Sequence, residues 1–339
     1  MQLNSKACIL GSGAWAGALA VVLSDNGFKV LLWARNSDTV DCFQATRTLP
    51  RLPGIILPST VSVTDSVEEA LSESSVIVAA IPSSAVASLA HKVASDLPSE
   101  SLLVSATKGF DYATLQRPSE VWAEANPDLK GRICVLSGPN FAAEIGRRLP
   151  AATVVAGEEE TARLMAQRSF MTSYFRVYTH DDVAGVEMGG ALKNVIALAC
   201  GMVEGMGLGD NARAALISRG IAEMVRLGVR MGADPLTFSG LSGLGDLVLT
   251  STGDLSRNRQ AGIAVGKGQS IDEFIEETGY TVEGLETVKA ARKLSVIYDV
   301  QMPITWVVYK ILYEGLQVSE GVCEIMRREG KPESEKYFK

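Results

Sequence analysis

One lysine lies within a long run of apolar and small residues, where burial of a charge without a functional or structural partner would be energetically unfavourable. No other charge occurs between Glu187 and Glu204, and Lys193 stands near the middle of that run. At helical spacing its face includes Gly189 and Gly190, one turn back. Burial disfavours the ammonium form and lowers a lysine pKa towards the range that proton transfer uses. We therefore interpret Lys193 as a proton donor and acceptor beside glycines that leave room for a ligand, the alternative being a lysine that extends to solvent.

Polar residues also follow two short apolar runs that predict strands. Lys108 comes directly after residues 102–106, and the polar turn 137–140 follows residues 133–136. Ligands bind beyond the carboxyl ends of the strands in an open α/β sheet, so Lys108 is expected at the edge of a site. A helix after residue 140 would offer its N-terminus to an anion. For Lys108 the alternative is a solvated loop lysine.

Two later segments carry side chains that suit ligand binding or proton transfer. Residues 256–259 place Arg257 and Arg259 among polar partners, which is a suitable fork for phosphate. The glycine turn at residues 243–247 enters a predicted helix that carries Asp246. The alternatives are an exposed basic turn for the first segment and a helix start with a favourable charge for the second.

A glycine-rich turn near the start of the chain predicts dinucleotide binding. Residues 11–16 are GSGAWA, a G-x-G-x-x-A pattern between a predicted strand and a predicted helix. Gly11 permits a tight turn, Gly13 lets the backbone approach a pyrophosphate, and Ala16 supplies the small third side chain. The helix N-terminus attracts the phosphates. A purely structural turn is the alternative.

The end of the next predicted strand bears on which dinucleotide binds. An acidic residue there usually holds the ribose 2′-hydroxyl of NAD, but residues 33–36 are WARN and the next acid is Asp38. Arg35 suits a 2′-phosphate instead, so we expect NADPH to be preferred and NADH to remain usable. The alternative is a solvated surface charge.

The elements that position these groups divide the chain in two. Short apolar runs separated by helical stretches imply a mainly parallel, doubly wound sheet of Rossmann type, an α/β fold. The predicted strands are residues 7–10, 30–33, 61–63, 76–81, 102–106, 133–136, 153–155 and 175–178. Beyond residue 182 only helices are predicted, at 183–203, 212–231, 283–298 and 305–314. We predict a dinucleotide-binding domain at 1–182, an all-helical substrate-binding domain at 183–330 and a polar tail at 331–339.

Composition excludes several classes of protein. The 339 residues carry 32 basic and 39 acidic side chains, a net charge of −7, which argues against nucleic-acid and anionic-membrane binding. Two histidines and five scattered cysteines predict no metal site. Three glycines interrupt the uncharged stretch 7–23, which favours a turn over a signal peptide or membrane span. We expect a cytoplasmic protein, without membrane insertion, that forms a homodimer.

Taken together, these motifs resemble the bacterial NAD(P)-dependent sn-glycerol-3-phosphate dehydrogenases. The resemblance covers nearly the whole chain and rests on the turn at 11–16, ATKG at 106–109, SGP at 137–139, GGALKN at 189–194, GLGDL at 243–247 and SRN at 256–258. The chain departs from the common pattern at Ala14, Ala16 and Asn140, where Ser, Gly and Thr are usual.

The resemblance implies reversible reduction of dihydroxyacetone phosphate to sn-glycerol 3-phosphate, which supplies the backbone of glycerophospholipids. It implies that Lys193 is the proton acceptor. Substrate would contact Lys108, Gly138, Asn140, Lys193, Asp246, Ser256, Arg257 and Asn258. With Gly11 and Gly13 of the turn, the cofactor would contact Ala14, Trp15, Arg35, Lys108, Ala142, Arg257, Thr281 and Glu283.

Two other functions fit the same elements. A dehydrogenase with this domain plan that acts on ketopantoate, or on a β-hydroxyacid such as 6-phosphogluconate, would recognise a carboxylate and need no phosphate ester. A dinucleotide-sensing module would bind NADPH without depending on Lys193. Turnover of a phosphate ester, and its dependence on Lys193, separates the three.

Overall fold

The computed structural model describes residues 5–330 and 332–333, which form two compact units. The first takes the chain up to Asp111 together with Gln116–Val183, and the second takes Tyr112–Leu115 and the chain from Ala184 onwards. The sequence placed Tyr112–Leu115 in the first domain, so their membership of the second unit was not foreseen. Apart from residues 332–333, the predicted tail 331–339 lies outside the described residues.

The first unit is built on one eight-stranded sheet with the order β3-β2-β1-β4-β5-β6-β7-β8. All neighbouring strands are parallel except β6 and β7. The predicted α/β fold is confirmed, and all eight predicted strands are present with ends shifted by one or two residues. They are β1 (Lys6–Leu10), β2 (Lys29–Trp33), β3 (Val61–Thr64), β4 (Ser74–Ala79), β5 (Leu102–Ser105), β6 (Ile133–Ser137), β7 (Ala151–Gly157) and β8 (Phe175–His180).

Helices cover both faces of this sheet. Ala7 and Ile9 of β1 belong to the apolar cluster on one face, whereas Cys8 and Leu10 belong to the cluster on the other. Successive side chains of a strand point to opposite faces, so burial on both faces explains why the inner strands are largely apolar. The helices are α1 (Ala14–Asp25), α2 (Ser37–Thr46), α3 (Val67–Leu71), α4 (Val86–Val93), α5 (Pro118–Ala125), α6 (Ala142–Gly146) and α7 (Glu160–Phe170).

The uncharged stretch at the start of the chain is part of this core. Residues 7–10 lie in β1, and residues 16–23 of α1 are all buried. The interpretation of the stretch as folded structure is therefore confirmed.

The second unit is helical, as predicted, and contains no strand within the described part of residues 184–333. The four helices predicted from sequence are present, and four shorter ones accompany them. The full set is α8 (Val183–Gly205), α9 (Gly209–Arg230), α10 (Asp246–Thr252), α11 (Arg257–Gly266), α12 (Ile271–Thr278), α13 (Glu283–Ile297), α14 (Pro303–Tyr313) and α15 (Val318–Met326).

Helix α8 forms the centre of the second unit. Of the described helices it alone is long and apolar enough to cross a membrane, but its apolar window is completely buried within the protein. Its backbone touches that of α11: a Cβ at Gly262 would lie 2.2 Å from the carbonyl oxygen of Leu198, and one at Gly201 would lie 2.1 Å from that of Arg259. The glycines therefore permit a close helix crossing that larger residues would prevent.

A buried carboxylate joins α9 to α14. The Glu223 side chain accepts hydrogen bonds from the backbone N–H of Ile304 at 2.6 Å, and from the backbone N–H and the hydroxyl of Thr305 at 3.1 and 3.0 Å. These amides belong to the first turn of α14, so a side chain from another helix caps it. Burial raises the pKa of Glu223 to about 7, against the opposing effect of the backbone donors and of Arg226.

We expect Glu223→Gln to flatten the pH dependence of stability between about pH 4.5 and 7. The pKa of Glu223 in the folded chain, about 7, lies above its ordinary value of 4.5. Its contribution is therefore fully present below pH 4.5 and is lost as the pH rises through 7. The variant should melt at a lower temperature than the wild type at low pH, because its amide nitrogen cannot accept a hydrogen bond, and this difference should shrink as the pH rises through 7.

The measurement is the melting temperature of each protein at closely spaced pH values. Glu276→Gln, which changes an exposed carboxylate of α12, should keep the wild-type slope. Equal slopes for the wild type and Glu223→Gln would contradict the prediction.

Candidate active site

The turn after β1 has the shape of a phosphate cradle. Gly11 has φ +126°, and a Cβ there would lie 2.5 Å from the carbonyl oxygen of Ala80, so only glycine fits. Gly13 precedes α1, and a Cβ at that residue would meet nothing within 4 Å. Among the described residues none caps α1 with a side chain, and its first turn holds no acidic residue. The N–H groups and the positive end of the helix dipole are thus suited to an anion.

Side chains beside this turn support the same interpretation. Ala14 is the first residue of α1, and Ala16 is fully buried, in agreement with the need for a small third residue. The Nε1 of Trp15 is buried and has no hydrogen-bond partner within the described chain. An unused buried donor next to an open cradle fits a bound dinucleotide.

Arg35 is the cation at the end of β2. It is exposed, and the described residues include no ion-pair partner for it. Asp38, the nearest acid along the chain, lies in the first turn of α2, where the side chain of Asn36 accepts a hydrogen bond from its backbone N–H at 2.8 Å. Asp38 therefore belongs to the N-terminal turn of α2, and the positive charge at the end of β2 is that of Arg35.

The carboxyl ends of β5 and β6 bring three of the predicted residues together. Lys108 Nζ donates to the carbonyl oxygen of Gly138 at 3.2 Å. Asn140 donates through Nδ2 to the carbonyl oxygen of Ala152 at 2.9 Å, while its buried Oδ1 has no hydrogen-bond partner within residues 5–330 and 332–333. Ala142 begins α6, the helix predicted after residue 140, which has only five residues. An ammonium and an unused acceptor thus lie at the strand ends, where ligands bind.

In the second unit, Lys193 forms a buried ion pair. Its Nζ contacts Oδ1 of Asp246 and donates to Oγ1 of Thr250 at 2.7 Å. The Thr250 hydroxyl in turn donates to the same carboxylate oxygen at 3.2 Å. Lys193 is 6% exposed and Asp246 1%. A carboxylate in direct contact favours the charged ammonium, so this lysine is placed to hold a proton away from bulk water.

The interpretation of Gly189 as room for a ligand is wrong. A Cβ at Gly189 would lie 2.7 Å from the carbonyl oxygen of Ser242, so backbone fills that space. Ser242 belongs to a π-helical turn, Leu241–Gly245, that ends directly before Asp246. The small residue lets this turn pack against α8 and thereby sets Asp246 beside Lys193. Turns of this kind often mark functional sites.

Only one arginine of the predicted phosphate fork is available. Arg259 is buried and forms ion pairs with Glu204 at 2.6 Å and Asp254 at 3.0 Å, so its guanidinium holds the fold together. Arg257 begins α11 and lies 5.7 Å from the ring centroid of Tyr280. Ser256 caps the same helix by accepting from the backbone N–H of Arg259 at 3.2 Å.

Asn258 is buried in an amide network. Its Nδ2 donates to Oδ1 of Asn194 at 3.0 Å, and its Oδ1 accepts from the backbone N–H of Gly284 at 2.9 Å. Asn194 donates to Glu283 at 3.4 Å, and Thr281 is exposed just before α13. Asn258 thus joins α8, α11 and α13, which places the start of α13.

Sequence reasoning missed Thr250. The residue lies four positions after Asp246 on α10, the spacing at which helix side chains meet. That spacing was the available signal, but it does not indicate a role for a threonine in a short helix unless Lys193 is known to lie opposite.

A doubly wound sheet with a dinucleotide cradle, followed by a helical unit with a buried lysine–carboxylate pair, defines a two-domain nicotinamide-dependent dehydrogenase. Family comparison agrees and is more specific. The model described as NAD-dependent glycerol-3-phosphate dehydrogenase N-terminus matches residues 6–163, and the corresponding C-terminus model matches residues 182–323. The chain belongs to the NAD-dependent glycerol-3-phosphate dehydrogenase family.

Individual relatives support this membership. Glycerol-3-phosphate dehydrogenase (NAD(P)+) of Moorella thermoacetica is 45% identical over 327 residues, which is 96% of this chain and 97% of that one. The protein of the same name from Geobacter metallireducens is 46% identical over 333 residues, or 98% and 99% of the two chains. The resemblance recognised in the motifs is confirmed.

Solved structures show the same relationship in three dimensions. The crystal structure of glycerol-3-phosphate dehydrogenase from Coxiella burnetii has a TM-score of 0.92 at 36% identity and covers 96% of this chain and 100% of its own. A ketopantoate reductase from Ralstonia eutropha has a TM-score of 0.58 at 15% identity, covering 94% and 99% of the two chains. That likeness shows the fold alone.

We expect Thr250→Val to lower both stability and turnover. Valine keeps the shape but removes the hydroxyl between Lys193 and Asp246, and a lost partner for buried polar groups costs about 1–3 kcal/mol. The measurements are the urea midpoint and the kcat for NAD(P)+-dependent oxidation of sn-glycerol 3-phosphate. Thr250→Ser keeps the hydroxyl and should stay close to wild type. Identical behaviour of the Val and Ser variants would show that the hydroxyl has no such role.

Proposed function

We propose that this protein reduces dihydroxyacetone phosphate reversibly to sn-glycerol 3-phosphate with NAD(P)H. The observation that carries the proposal is the buried Lys193 ammonium, held by Asp246 and Thr250 in a chain of this family. In the reducing direction Lys193 donates a proton to the C2 oxygen as that oxygen becomes an alkoxide. In the oxidising direction it takes the proton from the C2 hydroxyl.

The groups around the lysine orient it and the substrate. Asp246 stabilises the ammonium form and fixes the direction of its N–H groups, since both side chains are buried. Lys108 polarises substrate oxygen, with Gly138 and Asn140 as further substrate contacts. Positive charge near a developing oxyanion lowers the barrier without proton transfer of its own.

Arg257 is the proposed phosphate ligand in the second unit. A guanidinium holds a phosphate through paired hydrogen bonds, and Arg259 is already committed to Glu204 and Asp254. Ser256 and Asn258 stay proposed substrate contacts. Because their described hydrogen bonds fix the starts of α11 and α13, they also place Arg257.

The first unit holds the dinucleotide, which supplies the hydride when it is bound. The open cradle at Gly11 and Gly13 receives the pyrophosphate on the N-terminus of α1, and the indole N–H of Trp15 is a further donor. Arg35 binds a 2′-phosphate, so NADPH is preferred over NADH. The remaining proposed cofactor contacts are Ala14, Lys108, Ala142, Arg257, Thr281 and Glu283.

The cellular role that follows is the supply of glycerol phosphate for glycerophospholipid synthesis. The homodimer and the cytoplasmic location inferred from the sequence stay predictions.

We expect Lys193→Ala to lose about 10²–10⁴-fold in kcat for dihydroxyacetone phosphate, the contribution of a positioned acid or base. NADPH oxidation is followed by its absorbance, and NADPH binding by fluorescence. The variant should still bind NADPH, which confirms that its cofactor domain is folded, and Lys267→Ala, a surface change, should keep full turnover.

The alternatives give different results. Turnover of ketopantoate or a β-hydroxyacid in place of dihydroxyacetone phosphate would favour the rival dehydrogenase. NADPH binding by a wild type without turnover would favour a sensing module. Full activity of Lys193→Ala would refute the assigned proton carrier.

We expect Arg35→Ala to change cofactor selectivity. Loss of hydrogen bonds to a charged phosphate should lower kcat/KM for NADPH by about tenfold to a hundredfold, while NADH, which lacks that phosphate, serves as the internal control. The measurement is the ratio of kcat/KM for the two cofactors. An unchanged ratio would mean that Arg35 does not read the 2′-phosphate.

A further inference from the structure

The loop that follows β5 carries Lys108 and then leaves the first unit. Its segment Tyr112–Leu115 belongs to the second unit, whereas the chain on either side belongs to the first. The backbone N–H of Asp111 donates to the carbonyl oxygen of Gln116 at 2.9 Å, which closes the base of this excursion. Leu115 has φ +62°, a left-handed conformation that tightens the turn.

Two lysines of α13 hold the tip of the excursion. Lys293 Nζ lies 3.9 Å from the ring centroid of Tyr112, and Lys289 Nζ lies 5.7 Å from it. The lysines are four residues apart and therefore share one face of the helix. An ammonium over an aromatic ring is attracted by the electrons of that face.

Lys289 is itself held in place by further contacts. Lys289 Nζ donates to Glu286 at 2.8 Å and lies 4.8 Å from the ring centroid of Tyr313. The hydroxyl of Tyr313 donates to the carbonyl oxygen of Leu285 at 3.0 Å. One of the two cations that Tyr112 contacts, Lys289, is thus already held in place, so less side-chain entropy is lost on contact.

Along the chain, Lys108 lies between two residues that are each held within their own unit. On one side, Thr107 Oγ1 donates to the carbonyl oxygen of Ile81 at 2.9 Å at the end of the sheet. On the other, Tyr112 is only four residues further along the chain. Gly109, with φ +127°, makes the bend between them. The backbone from Thr107 to Tyr112 is therefore a short segment with a held residue at each end, so loss of the Tyr112 contact would free the residues between them, Lys108 included.

We propose that Tyr112 is a positioning residue: its ring, held by Lys289 and Lys293, anchors the excursion and thereby sets the position of Lys108 for catalysis. The proposal rests on the proposed function, since it takes Lys108 to act on dihydroxyacetone phosphate. The tyrosine hydroxyl has no part in it, and the aromatic face is what matters.

The first test removes the ring and then restores it. Tyr112→Ala should lower kcat/KM for dihydroxyacetone phosphate by about tenfold, because small displacements of a catalytic group are costly. Tyr112→Phe keeps the aromatic face and should restore the activity, whereas Tyr112→Leu should resemble Ala. Tyr178→Ala is the matched control, because Tyr178 is another exposed ring, 5.5 Å from Arg176. It should leave kcat/KM unchanged.

The second test asks whether the effect passes through Lys108. In a Lys108→Ala background, Tyr112→Ala should cause no further loss, whereas independent roles would make the two losses multiply. A merely structural role of Tyr112 would not depend on Lys108. Multiplicative losses, or wild-type kinetics for Tyr112→Ala, would overturn the proposal.

The third test does not depend on activity. Hydrogen exchange at the backbone amides of residues 109–116 should be faster in Tyr112→Ala and Lys293→Gln than in the wild type and Tyr112→Phe. If the wild type does not reduce dihydroxyacetone phosphate, the proposed function fails while this test of the anchor still stands. Unchanged exchange in Tyr112→Ala, or faster exchange with unchanged kinetics, would refute the positioning role.

Discussion

The contact between Lys193 and Asp246 is the interaction on which the second unit depends. Transfer of two charges from water into the interior costs several kcal/mol per ion, and the pair regains this only through close contact and further hydrogen bonds. Thr250 supplies one such bond at 2.7 Å. Apolar residues of similar volume would stabilise the same helices about as well, so stability alone does not explain the pair. The proposed role of Lys193 as a proton carrier accounts for it, because the carboxylate keeps the ammonium charged and fixes its direction away from bulk water.

The pair forms only if neighbouring segments pack with their backbone directly against the backbone of α8, and glycines make this close packing possible. Gly189 admits the carbonyl of Ser242, which brings the π-helical turn and then Asp246 to the lysine. Two turns beyond the lysine, Gly201 admits the backbone of α11. With a methyl group at either residue, the neighbouring backbone would have to move by an ångström or so, and the polar contacts would lengthen with it. The small residues of this helix therefore serve the geometry of the site even where none of them touches a ligand.

The sequence could predict the sheet and the cofactor turn because both are encoded locally. Most of the strands are largely apolar runs, and the turn at residues 11–16 contains its own glycines, so neither needs a distant partner to be recognised. Helices α10, α11 and α12 were harder to foresee: each has only seven to ten residues and shows no long periodic face. The misinterpretation of Gly189 has a related cause. A sequence shows that a residue is small, but it does not show whether ligand, water or backbone fills the space.

The polar residues of the second unit illustrate the same limit. Lys193 meets a carboxylate 53 residues away, and Asn258 meets an amide 64 residues away, so no spacing rule connects these partners. Arg257 and Arg259 differ in sequence only by position, yet a separation of two residues puts them on different sides of α11. One side faces Glu204, and a buried guanidinium must be paired, so Arg259 is committed to the fold. Arg257 has no such acid opposite it among its described contacts, so its charge remains for an anionic ligand. Which arginine can bind a ligand therefore depends on the positions of the acidic residues in the neighbouring helices.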